Sequence, residues 1–428
     1  MKTVVVLGAG FAGLKTVVAL QKKLREQVKI ILVDRNPYHY ETIRLYEVAT
    51  GEIPYTGMSY EINDVINPKM TTLITDEVEK VNIADKTVEL KDHAPLKYDY
   101  CVVGLGFTLS NMGIKGVTEN ALPMSNVKQA EAIRDHLYAE MKAYRQDHDS
   151  KHLSVVICGA GFQAIELGNA IAKVRPELAQ MAGAQPDEIT IRMIDGSPRL
   201  LPMFQGKLLD YALNTIKKNK VEIIKPAYVN EVTSTSVLYK MANEKDNAEL
   251  QEIKAGTRIW MMGFSGSPVI EASGFKNRRG RVMVGDHLTA PESDDIYVLG
   301  DVSSVMVPGK KWPYPNTGQL ALSMANYAAD GDADAHLLQH LHHLVLLLAV
   351  QLQLINGQIQ LFHGDFAVFL GIVQQILDDL LLALGSLLAL VVLLVLLFRH
   401  SYIPPRSCCR RSRRWASSRR AASSCSSV

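Results

Sequence analysis

Residues 3–34 read TVVVLGAGFAGLKTVVALQKKLREQVKIILVD, and this stretch decides the fold. A β-branched apolar run ends at Leu7 and is followed by Gly8, Gly10 and Gly13, then by apolar positions at helical spacing: Leu14, Val17, Val18, Leu20 and Leu24. A second apolar run closes on Asp34, 21 residues after Gly13. Strand, glycine turn, helix, strand and terminal acid are the parts of a dinucleotide-binding βαβ unit. The turn lets the backbone approach a pyrophosphate, the free N–H groups of the helix start stabilise its charge, and the acid accepts the ribose hydroxyls. Asp34 also has a plainer reading, as a solvated carboxylate at a strand end.

The pattern recurs. LSVVICGAGFQAIELGNAIAKV (153–174) repeats strand, turn and helix, with Gly159 and Gly161 in the first two positions and Ala164 in the third, and EITIRMID ends on Asp195. First glycine to acid spans 26 residues in the first copy and 36 in the second, an excess that matches the inserted RPELAQMAGAQPDE, read as a helical turn and loop. Two copies imply two bound nucleotides. A carboxylate at 195 repels a 2′-phosphate, so NADH is favoured over NADPH, with a solvated strand end as the alternative for this acid also. Between the copies YDYCVVGLG (98–106) is a strand ending in Gly104 and Gly106. After them come TRIWMMGFSGSP (257–268) and DDIYVLGDV (294–302), the latter carrying Asp301 at its carboxyl end.

At roughly 150 residues per domain, 428 residues allow about three domains. Hydrophobic residues at 47% and charged residues at 21% exclude a disordered or collagen-like chain. A net charge of +2 gives no support to nucleic-acid binding through a basic field. That average hides a break: residues 330–428 contain no Lys, Glu, Thr or Met, and their eight Arg and six Asp account for the whole +2. The remaining 38 cations and 38 anions leave residues 1–329 neutral. The body has two cysteines, Cys101 and Cys158, each inside an apolar run, so a reducing compartment and small core thiols are expected. The opening MKTVVVLGAG is too short and glycine-ended for a secretory signal and reads as a buried strand.

In this order and spacing, GAGFAG, VDRNPYHYE, YDYCVVGLGF, GAGFQAIEL, IYVLGD and PYPNTGQLAL resemble the two-dinucleotide-binding flavoproteins, most closely the type II NADH:quinone oxidoreductases. The resemblance covers residues 1 to about 329. It implies an α/β fold with two Rossmann-like domains, one for FAD and one for NADH, and electron transfer from NADH through the flavin to a membrane quinone without proton pumping. It further implies a monotopic, commonly dimeric protein on the cytoplasmic face of the membrane. The expected division is 1–112 and 256–329 for the FAD domain, 113–255 for the NADH domain, and 330–428 as a Leu-, Arg- and Ser-rich tail apart from both.

Carried over position by position, the resemblance assigns Gly8, Ala9, Gly10, Phe11, Ala12 and Gly13, with Asp34 and Arg35, to the adenosine half of FAD. Val78 matches the point where backbone meets adenine, Gly106 follows the returning strand at the cofactor, and Asp301 matches the acid of the ribityl and pyrophosphate region. Gly159, Gly161 and Asp195 fall to NADH. Glu166 matches a glutamate beside the nicotinamide, for positioning or proton relay, or else a satisfied carboxylate at a helix start. Gln319 matches a glutamine facing flavin and quinone, where its amide could hold a quinone carbonyl or serve as a structural amide against the flavin. The family's preceding alanine is here Gly318. Disulfide reductases and thiol peroxidases of this fold need cysteines in the region after the first helix, and residues 35–60 have none. Two further readings stand beside the quinone reductase: an NADH oxidase or diaphorase using O₂ or a soluble acceptor, and an impaired flavoprotein, soluble in the cytoplasm, without its membrane-docking C-terminus.

In the tail, Leu380 to Phe398 is an uncharged run of 19 residues followed by RSCCRRSRR. As a single span it would send eight Arg outside, against the positive-inside rule. The joint loss of four residue types reads as translation out of frame from near Asp330. Cys408, Cys409 and the run HLLQHLHH have no metal-site spacing, and no metal is expected.

Overall fold

The computed structural model describes residues 1–202, 204–244 and 249–330. The expectations for the tail beyond Asp330 lie outside the described residues.

The strand that opens the chain, Lys2–Leu7, lies inside a six-stranded sheet. Its order is Thr289–Ala290, Ser293–Val298, Tyr100–Val103, Lys2–Leu7, Val28–Asp34 and Thr71–Thr75. All neighbours are parallel except the outermost pair, Thr289–Ala290 with Ser293–Val298. Such a strand is covered on both faces, which is why it reads as an unbroken apolar run. Alternation then divides it between two cores. Val5, Leu7, Ile31 and Val33 pack with Val81, Val88 and Ile296, whereas Val4, Val6, Ile30 and Leu32 pack with Val17 and Leu20 of the helix Phe11–Leu24 and with Ala321 and Met324 of the helix Gly318–Asp330. Truncating a fully buried member such as Leu32 to Ala costs about 2–5 kcal/mol.

The second sheet repeats the plan: Leu122–Pro123, Thr257–Trp260, Ser154–Cys158, Thr190–Ile194 and Val221–Ile224, all parallel. Ser154–Cys158 stands where Lys2–Leu7 stands, and Thr257–Trp260 where Tyr100–Val103 stands. Each unit also inserts a three-stranded antiparallel sheet between its outer strand and its returning strand, Val78–Asn82 to Leu96–Lys97 in the first and Ala227–Val232 to Gln251–Lys254 in the second. The crossovers run side by side, Phe107–Leu109 pairing antiparallel with Phe264–Gly266.

Two details differ from the sequence reading. The boundary expected at residue 255 falls one strand early, because Thr257–Trp260 is paired with Ser154–Cys158 in the second sheet rather than opening the return half of the first. An apolar run announces a buried strand, but its partner is chosen by contacts distant in sequence. The insert after the second helix is a two-turn helix, Arg175–Ala182, closed by the left-handed Gly183, followed by a capped turn at Pro186–Glu188.

Candidate functional site

Both glycine turns are built alike. Gly8 has φ +90 and Gly159 φ +117, in the region that favours glycine. Their N–H groups donate to Val33 and Ile194 at 2.7 and 2.8 Å, which ties each turn to the strand that delivers its acid. A Cβ on Gly8 would lie 2.4 Å from the Gly104 carbonyl oxygen, and one on Gly13 would lie 1.8 Å from that of Gly8. The first turn therefore needs glycine at both places, whereas the second accepts the buried Ala164 at its third position.

The strand-end acids repeat one geometry. Asp34 accepts the Ala9 N–H at 2.6 Å on one oxygen and the Asn36 N–H at 2.8 Å on the other. Asp195 accepts the N–H groups of Ala160 and Ser197, both at 2.7 Å, again one per oxygen. At Asp195 one backbone bond per oxygen leaves a lone pair on each, matched to the two hydroxyls of a ribose; at Asp34 the Asn36 side-chain amide also reaches the oxygen facing it at 3.4 Å, and the oxygen facing Ala9 keeps its free lone pair. Burial pushes the Asp34 carboxyl upward, and the donors from Ala9 and Asn36 counter it. Neither acid is merely a solvated strand end.

The residues fit the implied nucleotides. Both turn helices start on a glycine with no side-chain cap and no acid in the first turn, so their N–H groups are open to a phosphate. Nothing lies within 4 Å of a Cβ built on Gly10 or Gly161, so backbone is bare on that side. Gly300, with φ +70, packs against Ala12 and Ala321 and sets Asp301 beside the first turn. Burial raises Asp301, opposed by the Arg281 guanidinium and by Asn316. Arg281 Nε is buried without a hydrogen-bond partner, a donor left for a group the protein does not supply.

The other positions fall as follows. Val78 is a core residue two positions beyond Asp76, whose N–H donates to the Asp34 carbonyl at 2.9 Å. Arg35 is exposed at the mouth of the first turn, and Gly106 is left-handed with open space around it. Gln319 is the second residue of the helix Gly318–Asp330 and is half-buried. A Cβ at 318 would meet the Phe11 ring at 3.4 Å, ordinary contact, so glycine in place of alanine there keeps the helix start in register beside the first turn.

Glu166 lies in the second turn of the helix Phe162–Lys173, not at its start. That helix packs against Leu45–Ala49, which sequence reasoning passed over. The Glu166 side chain is reached by solvent on one side and crowded by protein on the others. Crowding first, and the Glu47 charge second, push its pKa up to about 7. Glu47 is itself fixed by a two-pronged bond from Arg44, 2.8 Å on each oxygen. Tyr46 is raised by burial and then by Glu166 and Glu47, and Lys173 pairs with Glu52 at the far end of the seam. His39 adds a buried contact to the first turn, Nδ1 2.7 Å from the Ala9 carbonyl. The dense run YHYETIRLYE (38–47) was the available signal. The structure thus gathers the first turn, Asp301 and Gln319 in one place and sets Glu166 in the seam with Tyr46 and Glu47. Among the described residues no hydrogen bond or ion pair joins Glu166 to Gln319. Cys101 and Cys158 are free and fully buried in different sheets, with burial raising both thiols, Cys158 to about 12, so neither is poised for thiol chemistry.

Two congruent nucleotide units, the first completed by a returning strand and a closing helix, define an oxidoreductase of the two-dinucleotide fold. The model of the pyridine nucleotide-disulphide oxidoreductase family matches residues 2–326. Type II NADH:quinone oxidoreductases of Staphylococcus haemolyticus and Staphylococcus aureus are 34% and 31% identical over 331 residues, 77% of this chain and 81% of theirs. In fold, NDH2 of Plasmodium falciparum, solved with NADH, superposes with a TM-score of 0.68 at 17% identity, over 77% of this chain and 82% of its own. The sulfide:quinone oxidoreductase of Aquifex aeolicus superposes at 0.64 and 21% identity, over 77% and 76%. The chain belongs to the pyridine nucleotide-disulphide oxidoreductase family and, within it, to the type II NADH:quinone oxidoreductases.

Proposed function

We infer that the protein is an FAD-dependent NADH dehydrogenase that reduces quinone: NADH, one proton and quinone become NAD⁺ and quinol. The observation that carries this is the duplicated turn-and-carboxylate geometry, one copy per nucleotide, with Gln319 opening the helix beside the first copy. Bound FAD supplies the two-electron acceptor for hydride and the donor to quinone.

Each residue has a role in this reading. The first turn, Asp34 and Asp301 hold FAD, and Arg281 Nε offers it a buried donor. The second turn holds NADH, with Asp195 on the ribose diol and set against a 2′-phosphate. Glu166 orients the nicotinamide and exchanges the proton at its carboxyl oxygen, and Gln319 donates its amide hydrogen to a quinone carbonyl. The FAD unit comprises residues 1–112 and about 262–329, with the NADH unit between them. A lipid acceptor calls for a peripheral membrane protein, and the family resemblance adds the cytoplasmic face, a homodimer and the absence of proton pumping to this reading. No helix among the described residues is long and apolar enough to cross a membrane.

The test is NADH oxidation by the purified, flavin-loaded chain with a soluble quinone. Gln319→Leu raises the quinone KM roughly tenfold, the loss of about one hydrogen bond, and leaves NADH affinity unchanged. Equal losses toward ferricyanide and quinone would contradict the role of Gln319.

A further inference from the structure

The segment between Asp301 and Gln319 forms a tight hairpin that the chemistry above does not use. Val305 and Tyr314 close its base through a 2.9 Å backbone bond, Met306 bridges Pro313, and Val307 receives the Lys310 N–H at 3.0 Å. Gly309, with φ +70, turns the tip. Both ends are anchored at the site: Ser304 pairs with Met283, and Asn316 donates to the Asp301 carbonyl at 3.1 Å. The tip from Pro308 to Pro313 is exposed, and at its end Trp312 is 59% exposed under Lys310, whose ammonium sits 5.6 Å from the ring centre. From Val302 to Ala329 there is no acid, and Lys310 and Lys311 are the only charged residues. Large apolar side chains surround the anchors: Met283 is 54% exposed, and Leu322, one turn beyond Gln319, is 37% exposed.

We propose that this hairpin docks the enzyme on an anionic lipid surface, with Trp312 at the headgroup level and Lys310 and Lys311 against lipid phosphates. An amphipathic aromatic ring beside two lysines, in a stretch from Val302 to Ala329 that holds no acid, suits that boundary. An acidic protein would match the two lysines as well, but the exposed Trp312 with Met283 and Leu322 exposed around the anchors favours a surface that is apolar just below its charges. Docking there brings the Gln319 end of the helix Gly318–Asp330 to the surface in which a quinone is dissolved. The proposal rests on quinone being the acceptor.

The test is co-sedimentation of the flavin-loaded full chain with vesicles of phosphatidylcholine, alone or mixed equally with phosphatidylglycerol. Lys310→Ala with Lys311→Ala lowers partition onto the mixed vesicles about thirtyfold, roughly fivefold per lysine, and leaves neutral vesicles unaffected. Trp312→Ala lowers partition onto both about tenfold. The arginines of the tail are common to all variants and cancel in these ratios. NADH oxidation with a soluble quinone stays at the parent rate throughout. Parent-like partition of both variants overturns the proposal, as does a Trp312→Ala effect confined to oligomeric state. Trp312-dependent docking in a chain that reduces no quinone counts against the enzyme reading alone.

Discussion

At the scale of single residues, the proposed role of Glu166 rests on protein crowding and a like charge at a carboxyl that solvent still reaches. With its pKa pushed up to about 7, Glu166 holds its proton into a pH range where an ordinary glutamate is ionised. Turnover that depends on the protonated form falls as pH rises through about 7. Glu47→Gln removes the neighbouring charge and moves that midpoint downward, while Glu166→Gln erases it and slows turnover roughly a hundredfold with flavin retained. A pH–rate series on the three proteins decides, and a midpoint indifferent to Glu47 would sink the pairing. Stability follows the same sign. The folded pKa is raised, so the contribution of this one group to stability is fully present below the ordinary value of 4.5 and is lost as pH rises through about 7, a small change for a side chain that solvent reaches. Glu166→Gln therefore melts above the parent in alkaline buffer and not in acid. Glu166 was legible from its place after the second glycine turn; its partners Arg44, Tyr46 and Glu47 were not, because they arrive on a helix from the other unit.

At the scale of elements, the two strand–turn–helix units show what spacing alone can specify. Asp34 and Asp195 were readable as strand-end acids, since strand and helix periods fix where each element stops. That each carboxylate is also held by the N–H group after its first glycine, at 2.6 and 2.7 Å, appears only in three dimensions. The strand Thr257–Trp260 shows the limit: its apolar run was clear, but its sheet was not. Asp195→Asn tests the second unit. On the proposed ribose role, losing its charge raises the KM for NADH roughly ten- to a hundredfold and narrows the preference over NADPH. Steady-state kinetics with both nucleotides measures this, and an unchanged preference would remove Asp195 from the ribose.

Over the whole molecule, the near-neutral charge is an average of unlike parts. Residues 1–329 balance 38 cations with 38 anions and carry every group given a role, while the +2 belongs to the stretch beyond. Global balance leaves local asymmetry to do the steering: an acid-free hairpin with two lysines sits beside Gln319, and an acidic seam surrounds Glu166. Two congruent sheets with their crossovers paired side by side keep the two nucleotide sites on one scaffold. The doubling was legible as repeated glycine turns, but the seam joining the halves was not, since its partners carry no shared motif.

In the proposed reaction one flavin passes electrons from NADH to quinone, and anaerobic mixing of the flavin-loaded chain separates the two halves. NADH should bleach the visible flavin absorbance, and a quinone added next should restore it at a rate sufficient for turnover, with O₂ restoring it far more slowly. A flavin that NADH does not bleach, or one that O₂ reoxidises faster than quinone, would contradict the account.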